Sequence, residues 1–242
     1  MNKPKFALKD TLESGQVFRY KYVEEGALVA HAQEVFTIYE DGSSDHPNQE
    51  WYKHFIRADQ PLLEHDHPYV QEAITHTQGV RILRQDPWEC LVSFIISQNN
   101  HQARIAKNIQ AITQTYGKPL REGFHAFPQP HELGSEEEMR ALGLGYRARY
   151  LAGLQDIDLK RLEQLKHLPY KEAKKQLTTI NGIGPKVADC ILLFSLEFEE
   201  ACPEDTWIKK VFKKTGITKD ALGTQAGLYQ QMLFHYARRV EN

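Results

Sequence analysis

The hydrophobic pattern changes period once along the chain. From residue 16 to residue 40, apolar positions partly alternate with polar ones in short runs. Val17-Phe18-Arg19-Tyr20-Lys21-Tyr22-Val23 comes first and Glu24-Glu25-Gly26 supplies a turn. Ala27 to Ala30 and Val35-Phe36-Thr37-Ile38-Tyr39 follow, and Asp41-Gly42 closes the set. A period near two between turn residues predicts an antiparallel meander. Pro47, Pro61 and Pro68 then punctuate a mixed segment up to Gly79. Beyond it the period is helical. Asp86-Pro87-Trp88-Glu89 offers an N-cap, a proline at the first helical position and the glutamate of a capping box. Trp88, Leu91, Val92, Ile95 and Ile96 recur at helical spacing, which predicts a core helix running out at Ser97-Gln98-Asn99-Asn100. Ile105, Ala106, Ile109 and Ile112 mark a second helix that stops at Gly117. Ser135-Glu136-Glu137-Glu138 opens a third, ending at Gly143; another starts near Tyr146, and one covers Lys171 to Leu177. The expected fold class is α+β, mostly α. An antiparallel β domain occupies residues 1–80 and a helical domain residues 81–242, with no internal repeat or low-complexity linker.

Composition narrows the function. The 242 residues are 41% hydrophobic and 26% charged, ordinary globular material. No apolar run approaches the roughly 20 residues that span a bilayer. Met1-Asn2-Lys3-Pro4-Lys5 lacks the apolar core of a leader, so a soluble, intracellular protein is expected. Cys90, Cys190 and Cys202 are odd in number and far apart, which supports neither a disulfide framework nor a four-cysteine metal site. His65-Asp66-His67, beside Pro68, reads as a solvated loop rather than a metal site. The formal net charge of −2 argues against broad electrostatic attraction to nucleic acid. Lys209-Lys210-Val211-Phe212-Lys213-Lys214 is nevertheless one concentrated basic face. A weakly charged protein that holds DNA leans on backbone amides and a few arginines.

The most informative segment is Leu177-Thr178-Thr179-Ile180-Asn181-Gly182-Ile183-Gly184-Pro185-Lys186-Val187-Ala188-Asp189-Cys190. One helix ends, an apolar-x-Gly-x-Gly turn follows and a second helix begins, which is the pattern of a helix-hairpin-helix at about 172–196. Gly182 and Gly184 allow a phosphate close to the backbone, and the second helix presents unpaired N–H groups, Val187's included. A plain αα-turn with glycine caps would look similar. Lys186 separates the two readings. It lies in the first turn of the second helix, where a positive charge opposes the macrodipole. Only a neutral amine attacks carbon, so that placement suits a nucleophile better than a structural lysine. Cys190 shares its face four residues on, either beside the amine or simply as a small buried residue. Asp205, in Ala201-Cys202-Pro203-Glu204-Asp205-Thr206-Trp207-Ile208, precedes another helix. Capping that helix and holding a carboxylate at a reaction centre are compatible roles.

These segments together resemble the helix-hairpin-helix DNA glycosylase superfamily, and within it the 8-oxoguanine DNA glycosylase/AP lyase family in a bacterial form. Besides the hairpin and Asp205, the resemblance rests on Val80-Arg81-Ile82-Leu83-Arg84-Gln85-Asp86-Pro87, Ser97-Gln98-Asn99-Asn100 and Leu142-Gly143-Leu144-Gly145-Tyr146-Arg147-Ala148-Arg149-Tyr150. It runs from Ser14-Gly15-Gln16 to Leu233-Phe234, and the joint order of weak motifs makes it specific. The resemblance implies that Lys186 forms a Schiff base and that Asp205 stabilises positive charge on the sugar and helps move protons. Gly15 would offer its carbonyl to the oxidised base, Phe234 would stack on it, Gln230 would bind its Watson–Crick edge, and Cys190 would join these in base recognition. Asn99, Arg104 and Arg147 would face the cytosine left behind, with Tyr146 wedged into the stack. Gly182, Gly184, Val187 and Trp207 would meet phosphates. Trp207 departs from the family, because eukaryotic relatives place a phosphate-contacting histidine there and an indole carries no charge. The implied partner is double-stranded DNA containing oxidised guanine, bound by a monomer in the cytoplasm at the nucleoid, without membrane, metal or organic cofactor. Two rivals remain at this point. A monofunctional glycosylase for alkylated bases would share the β unit and the aspartate but lack the lysine. A non-catalytic helix-hairpin-helix DNA-binding protein would need no base pocket.

Overall fold

The computed structural model describes residues 6–240, so the Met1–Lys5 segment read above lies outside the described residues. In chain order the elements begin with α1 (Leu8–Glu13), β1 (Tyr20–Val23), β2 (Gly26–His31), β3 (Glu34–Tyr39), α2 (Gln49–Phe55) and α3 (Pro68–His76). The helical array continues with α4 (Pro87–Ser97), α5 (Gln102–Tyr116), α6 (Glu136–Ala141), α7 (Ala148–Ala152) and α8 (Leu159–Gln164). It closes with α9 (Tyr170–Thr178), α10 (Pro185–Ser195), α11 (Thr206–Thr215) and α12 (Ala226–Val240).

The meander forms as the alternation predicts. β2 lies between β1 and β3, antiparallel to both, with Tyr20 opposite Val29 and Ala27 opposite Ile38. β1 starts later than the apolar run, at Tyr20. Upstream side chains turn inward to other partners. Gln16 Nε2 donates to the Arg81 carbonyl at 2.8 Å, and Arg19 donates to the Glu89 carboxylate at 2.8 Å.

The mixed segment is not irregular. Asn48 caps α2 by accepting from the Trp51 amide at 3.0 Å. Pro68 does not punctuate; it occupies the first turn of α3, where its missing N–H costs nothing. His65-Asp66-His67 is correspondingly more than a solvated loop. The His67 ring accepts from the Tyr69 amide at 3.2 Å as the N-cap, and the His65 ring packs edge-on to Tyr229.

Asp86 caps α4 as expected, accepting from the Glu89 amide at 2.7 Å. Glu89 does not complete the reciprocal box. Its buried carboxylate reaches across to Arg19 and to the Ala32 amide at 2.7 Å, fastening the sheet to α4. The Ser135–Glu138 box does close in both directions. The helix expected near Tyr146 begins as a tight turn over Gly145–Arg147 and becomes α7.

Three apolar groups result. The largest joins α4, α5 and α10, with Leu91, Ile95 and Leu192 each fully buried. Each such side chain contributes roughly 1.5–3 kcal/mol. A second joins α3, α11 and α12 through Val70, Ala73, Val211 and Leu233. The third fills the space between α1, the sheet and α2, with Phe36, Ile38 and Phe55 at its centre. This packing fixes α10 and α12 as two stiff walls facing the turn after α1.

Candidate active site

The hairpin turn depends on its first glycine. Gly182 sits at φ +93°, and a Cβ there would lie 2.5 Å from Cγ of the Tyr150 ring. Its carbonyl accepts from Gln98 Nε2 at 3.0 Å, which ties the turn to the end of α4. Gly184 is the N-cap of α10 and has no side chain to cap with. The first backbone bond of the helix runs from the Ala188 amide to the Gly184 carbonyl at 2.9 Å. Pro185 has no N–H, so the amides of Lys186 and Val187 are the open donors of this helix start. The Val187 side chain itself is buried, so only its backbone can meet a ligand. Buried Asp189 locks α9 against α10 by accepting from Tyr170 Oη and Lys174 Nζ, both at 2.7 Å.

One helical turn along α10, Lys186 and Cys190 open into a cavity shared with Gly15, Asp205, Gln230 and Phe234. These side chains come from four separate parts of the chain. Asp205 is the N-cap of α11, accepting from the Ile208 amide at 2.9 Å, so capping holds the carboxylate in place. Lys186 Nζ lies 5.4 Å from the centroid of the Phe94 ring. Among the described residues no carboxylate stands within ion-pair distance of this amine, Asp205 included. Gly15 sits at φ +82° between two anchored neighbours. Ser14 Oγ donates to the Thr11 carbonyl at 2.8 Å, and Gln16 Oε1 accepts from the Leu83 amide at 2.8 Å. Gln231 Nε2 donates to the Ser14 carbonyl at 3.0 Å, joining this turn to α12.

Gln230 is 3% exposed and its Oε1 has no hydrogen-bond partner among the described residues. An unfilled buried acceptor costs about 1–3 kcal/mol, which a donor arriving in the cavity would recover. The cavity holds only about 40 Å³ of solvent-accessible space. That suffices for one water-sized molecule and not for a base. Half-buried Phe234 forms one wall, with the Arg238 guanidinium 5.3 Å from its ring centroid.

The other expected residues form a second group. Asn99 and Arg104 are exposed at the junction of α4 and α5, and Tyr146 is 40% exposed. Asn99 adopts a left-handed conformation at φ +47° and donates to Tyr146 Oη at 3.4 Å. Arg147 is only 4% exposed. Its guanidinium donates to the carbonyls of Gln98 and Asn99 and lies under the Tyr146 ring, 4.6 Å from the centroid. The turn at Gly145–Arg147 directs the side chain inward, where it supports the strained Asn99 conformation. Trp207 lies in the first turn of α11, half-buried, with Lys210 Nζ 4.9 Å from its ring centroid. The ammonium supplies beside the indole a charge that the indole lacks.

Phe94, Phe194, Pro203 and Gln231 also line the cavity and were not singled out from sequence. Phe94 and Phe194 stack on each other with centroids 5.3 Å apart, and in sequence they are indistinguishable from core aromatics. Burial pushes the Cys190 thiol up to about 11, against the pull of neighbouring Lys186, and the Cys202 thiol up to about 12. Cys90 is buried and raised as well. Iodoacetamide at pH 8 should therefore leave all three thiols of the native protein unmodified while fully alkylating the unfolded chain. Rapid native labelling of Cys190 would show that the cavity opens widely without a ligand.

The sequence family described as 8-oxoguanine DNA glycosylase, N-terminal domain, matches residues 1–91. The N-glycosylase/DNA lyase OGG1 of Arabidopsis thaliana is 40% identical over 157 residues, which cover 60% of this chain and 43% of that protein. A probable N-glycosylase/DNA lyase of Methanothermobacter thermautotrophicus is 32% identical over 67% of this chain and 65% of its own length. The chain thus spans less than half of the plant relative. The Clostridium acetobutylicum 8-oxoguanine glycosylase/lyase, solved with double-stranded DNA containing cytosine opposite 8-oxoguanine, superposes with a TM-score of 0.90. It is 30% identical, and the match covers 99% of this chain and 94% of that one. The chain belongs to the 8-oxoguanine DNA glycosylase/lyase family.

Proposed function

We propose that this protein excises 8-oxoguanine, preferably opposite cytosine, from duplex DNA and cleaves the resulting abasic site by β-elimination through a Schiff base on Lys186. The observation that carries the proposal is the single cavity joining an amine free of ion pairs, a fixed carboxylate and an unfilled buried acceptor. The hairpin amides at Lys186 and Val187 grip a phosphate, and the lesion flips out of the duplex. Tyr146 fills the gap, Asn99 and Arg104 face the orphaned cytosine, and Arg147 acts by holding the Asn99 loop in shape. Phe234 swings aside to admit the base and then stacks on it, a contact worth about 1–3 kcal/mol. Gln230 Oε1 accepts from the donors on the Watson–Crick edge. Oxidised guanine carries N7–H where guanine carries an acceptor, so the Gly15 carbonyl attracts one and repels the other.

The neutral Lys186 amine then attacks C1′ as the glycosidic bond breaks. The base leaves with the bonding pair and takes up a proton, and the amine loses one. Asp205 stabilises positive charge on the sugar. Ring opening gives an iminium between Nζ and C1′. Loss of a C2′ proton expels the 3′ phosphate, and hydrolysis of the conjugate releases the lysine. The amine itself supplies the nucleophile, so the scheme calls for no metal-bound water or organic cofactor. On this reading the enzyme works as a monomer in the cytoplasm with the nucleoid.

Duplexes carrying 8-oxoguanine opposite each of the four bases, with an undamaged control, test the reading. Base release with a nick 3′ to the lesion, fastest opposite cytosine and absent from the control, is expected. Base release from an intact strand would indicate a hydrolytic glycosylase, and no release from any lesion would leave a binding protein.

A further inference from the structure

Arg81 is 8% exposed, yet no described residue gives its guanidinium a hydrogen bond or an ion-pair partner. Its backbone is fully engaged: the amide donates to Thr11 Oγ1 at 3.1 Å and the carbonyl accepts from Gln16. The carboxylate whose field reaches it belongs to Asp59, and Arg84 occupies both of that group's oxygens at 2.8 and 2.9 Å. A largely buried cation whose nitrogens meet only the solvent of a cleft is less well hydrated than a surface arginine, and an anion in that cleft would compensate it. The Arg81 side chain borders a cleft of about 320 Å³. Leu63, Ile74, Val80 and Met232 make apolar walls, and exposed Glu64 stands at the rim. Gln60 is a fixed wall rather than a partner, because it donates to the Val80 carbonyl at 3.0 Å and accepts from the Ile82 amide at 2.8 Å. The cleft lies behind the active site. Met232 follows Gln230 by two residues on α12, which turns it about 200° away from the catalytic cavity.

We propose that this cleft binds a carboxylate carried on a short apolar group, with the carboxylate in a bidentate pair with Arg81. A planar guanidinium matches a carboxylate in two parallel hydrogen bonds. One cation neutralises one negative charge, and Glu64 at the rim disfavours a phosphate dianion. The aliphatic walls take the apolar part. The volume lies at the lower end of small-ligand sites, which fits a short chain. The same chemistry is offered by a free aliphatic acid and by a peptide ending in an apolar residue.

Titration calorimetry on the whole protein separates these cases. The probes are hexanoate, hexanol, and an acetylated Ala-Ala-Leu peptide with either a free or an amidated C-terminus. Saturable binding of hexanoate, of the free-carboxylate peptide, or of both is expected, with the alcohol and the amide at least tenfold weaker. Arg81→Met should abolish the binding. Ile74→Trp, which fills the cleft and leaves Arg81 in place, should do the same without changing strand cleavage. Failure of both carboxylate probes to bind, equal binding of hexanol, or unchanged binding by Ile74→Trp would overturn the proposal.

Discussion

Lys186→Gln should fall in strand cleavage by roughly a thousandfold or more, the scale on which removal of a nucleophile acts. Duplex affinity should stay close to that of the unaltered protein. On the proposed reading the hairpin meets phosphate through the open backbone amides of residues 186 and 187, and these survive the substitution. The amide side chain of glutamine keeps most of the volume beside Cys190 and Phe94, so the cavity should not collapse. Single-turnover cleavage and equilibrium binding on the same 8-oxoguanine duplex provide the two numbers. Cleavage within tenfold of the unaltered protein would remove Lys186 from the chemistry. A parallel loss of binding would assign it to DNA contact instead.

Arg19→Met should destabilise the fold by about 3–5 kcal/mol, the usual consequence of leaving a buried partner charge uncompensated. Arg19 and Glu89 are 7% and 8% exposed and join the sheet to α4. For a chain of this length that corresponds to a melting point lower by roughly 6–20 °C. Burial pushes the Glu89 carboxyl above its ordinary range, and the Arg19 charge opposes that push. Without Arg19 the folded-state value rises further. Stability tied to a raised carboxyl is present below the unfolded value and is lost as the pH climbs through the folded one. The deficit of Arg19→Met should therefore shrink as the pH falls from 8 toward 5. The double variant Arg19→Met/Glu89→Leu should recover most of the loss. A deficit under 1 kcal/mol at pH 8, or no recovery in the double variant, would show that the pair does not hold the seam.

The elements that sequence made legible carry strong local chemistry. Alternating β-branched and aromatic residues gave the meander, Asp86 and Ser135 gave helix starts, and the two glycines gave the hairpin. Sequence missed the short α1 and α2, and also α12, whose 15 residues over Ala226–Val240 were not read as a helix. α1 has six residues and α2 seven, too few to establish a period, and their stability comes from Leu8, Leu12, Tyr52 and Phe55 in the third core. The site was legible where a residue type conflicts with a structural role, as with Lys186 at a helix start. It was less legible where burial decides the role. Arg147 was read for the orphaned cytosine alone, while its burial under Tyr146 also makes it a brace for the Asn99 turn, and Phe94 reads as core while forming the floor beneath the amine. Gln230 was named for its implied contact, but only the fold displays its unfilled acceptor.

Borohydride trapping with peptide mapping identifies the nucleophile. The protein is incubated with a duplex containing 8-oxoguanine opposite cytosine, reduced, digested and sequenced by mass spectrometry. One covalent adduct per chain is expected, a secondary amine between C1′ of the sugar and Nζ of Lys186. An adduct on another amine, or base release with no adduct at all, would contradict it.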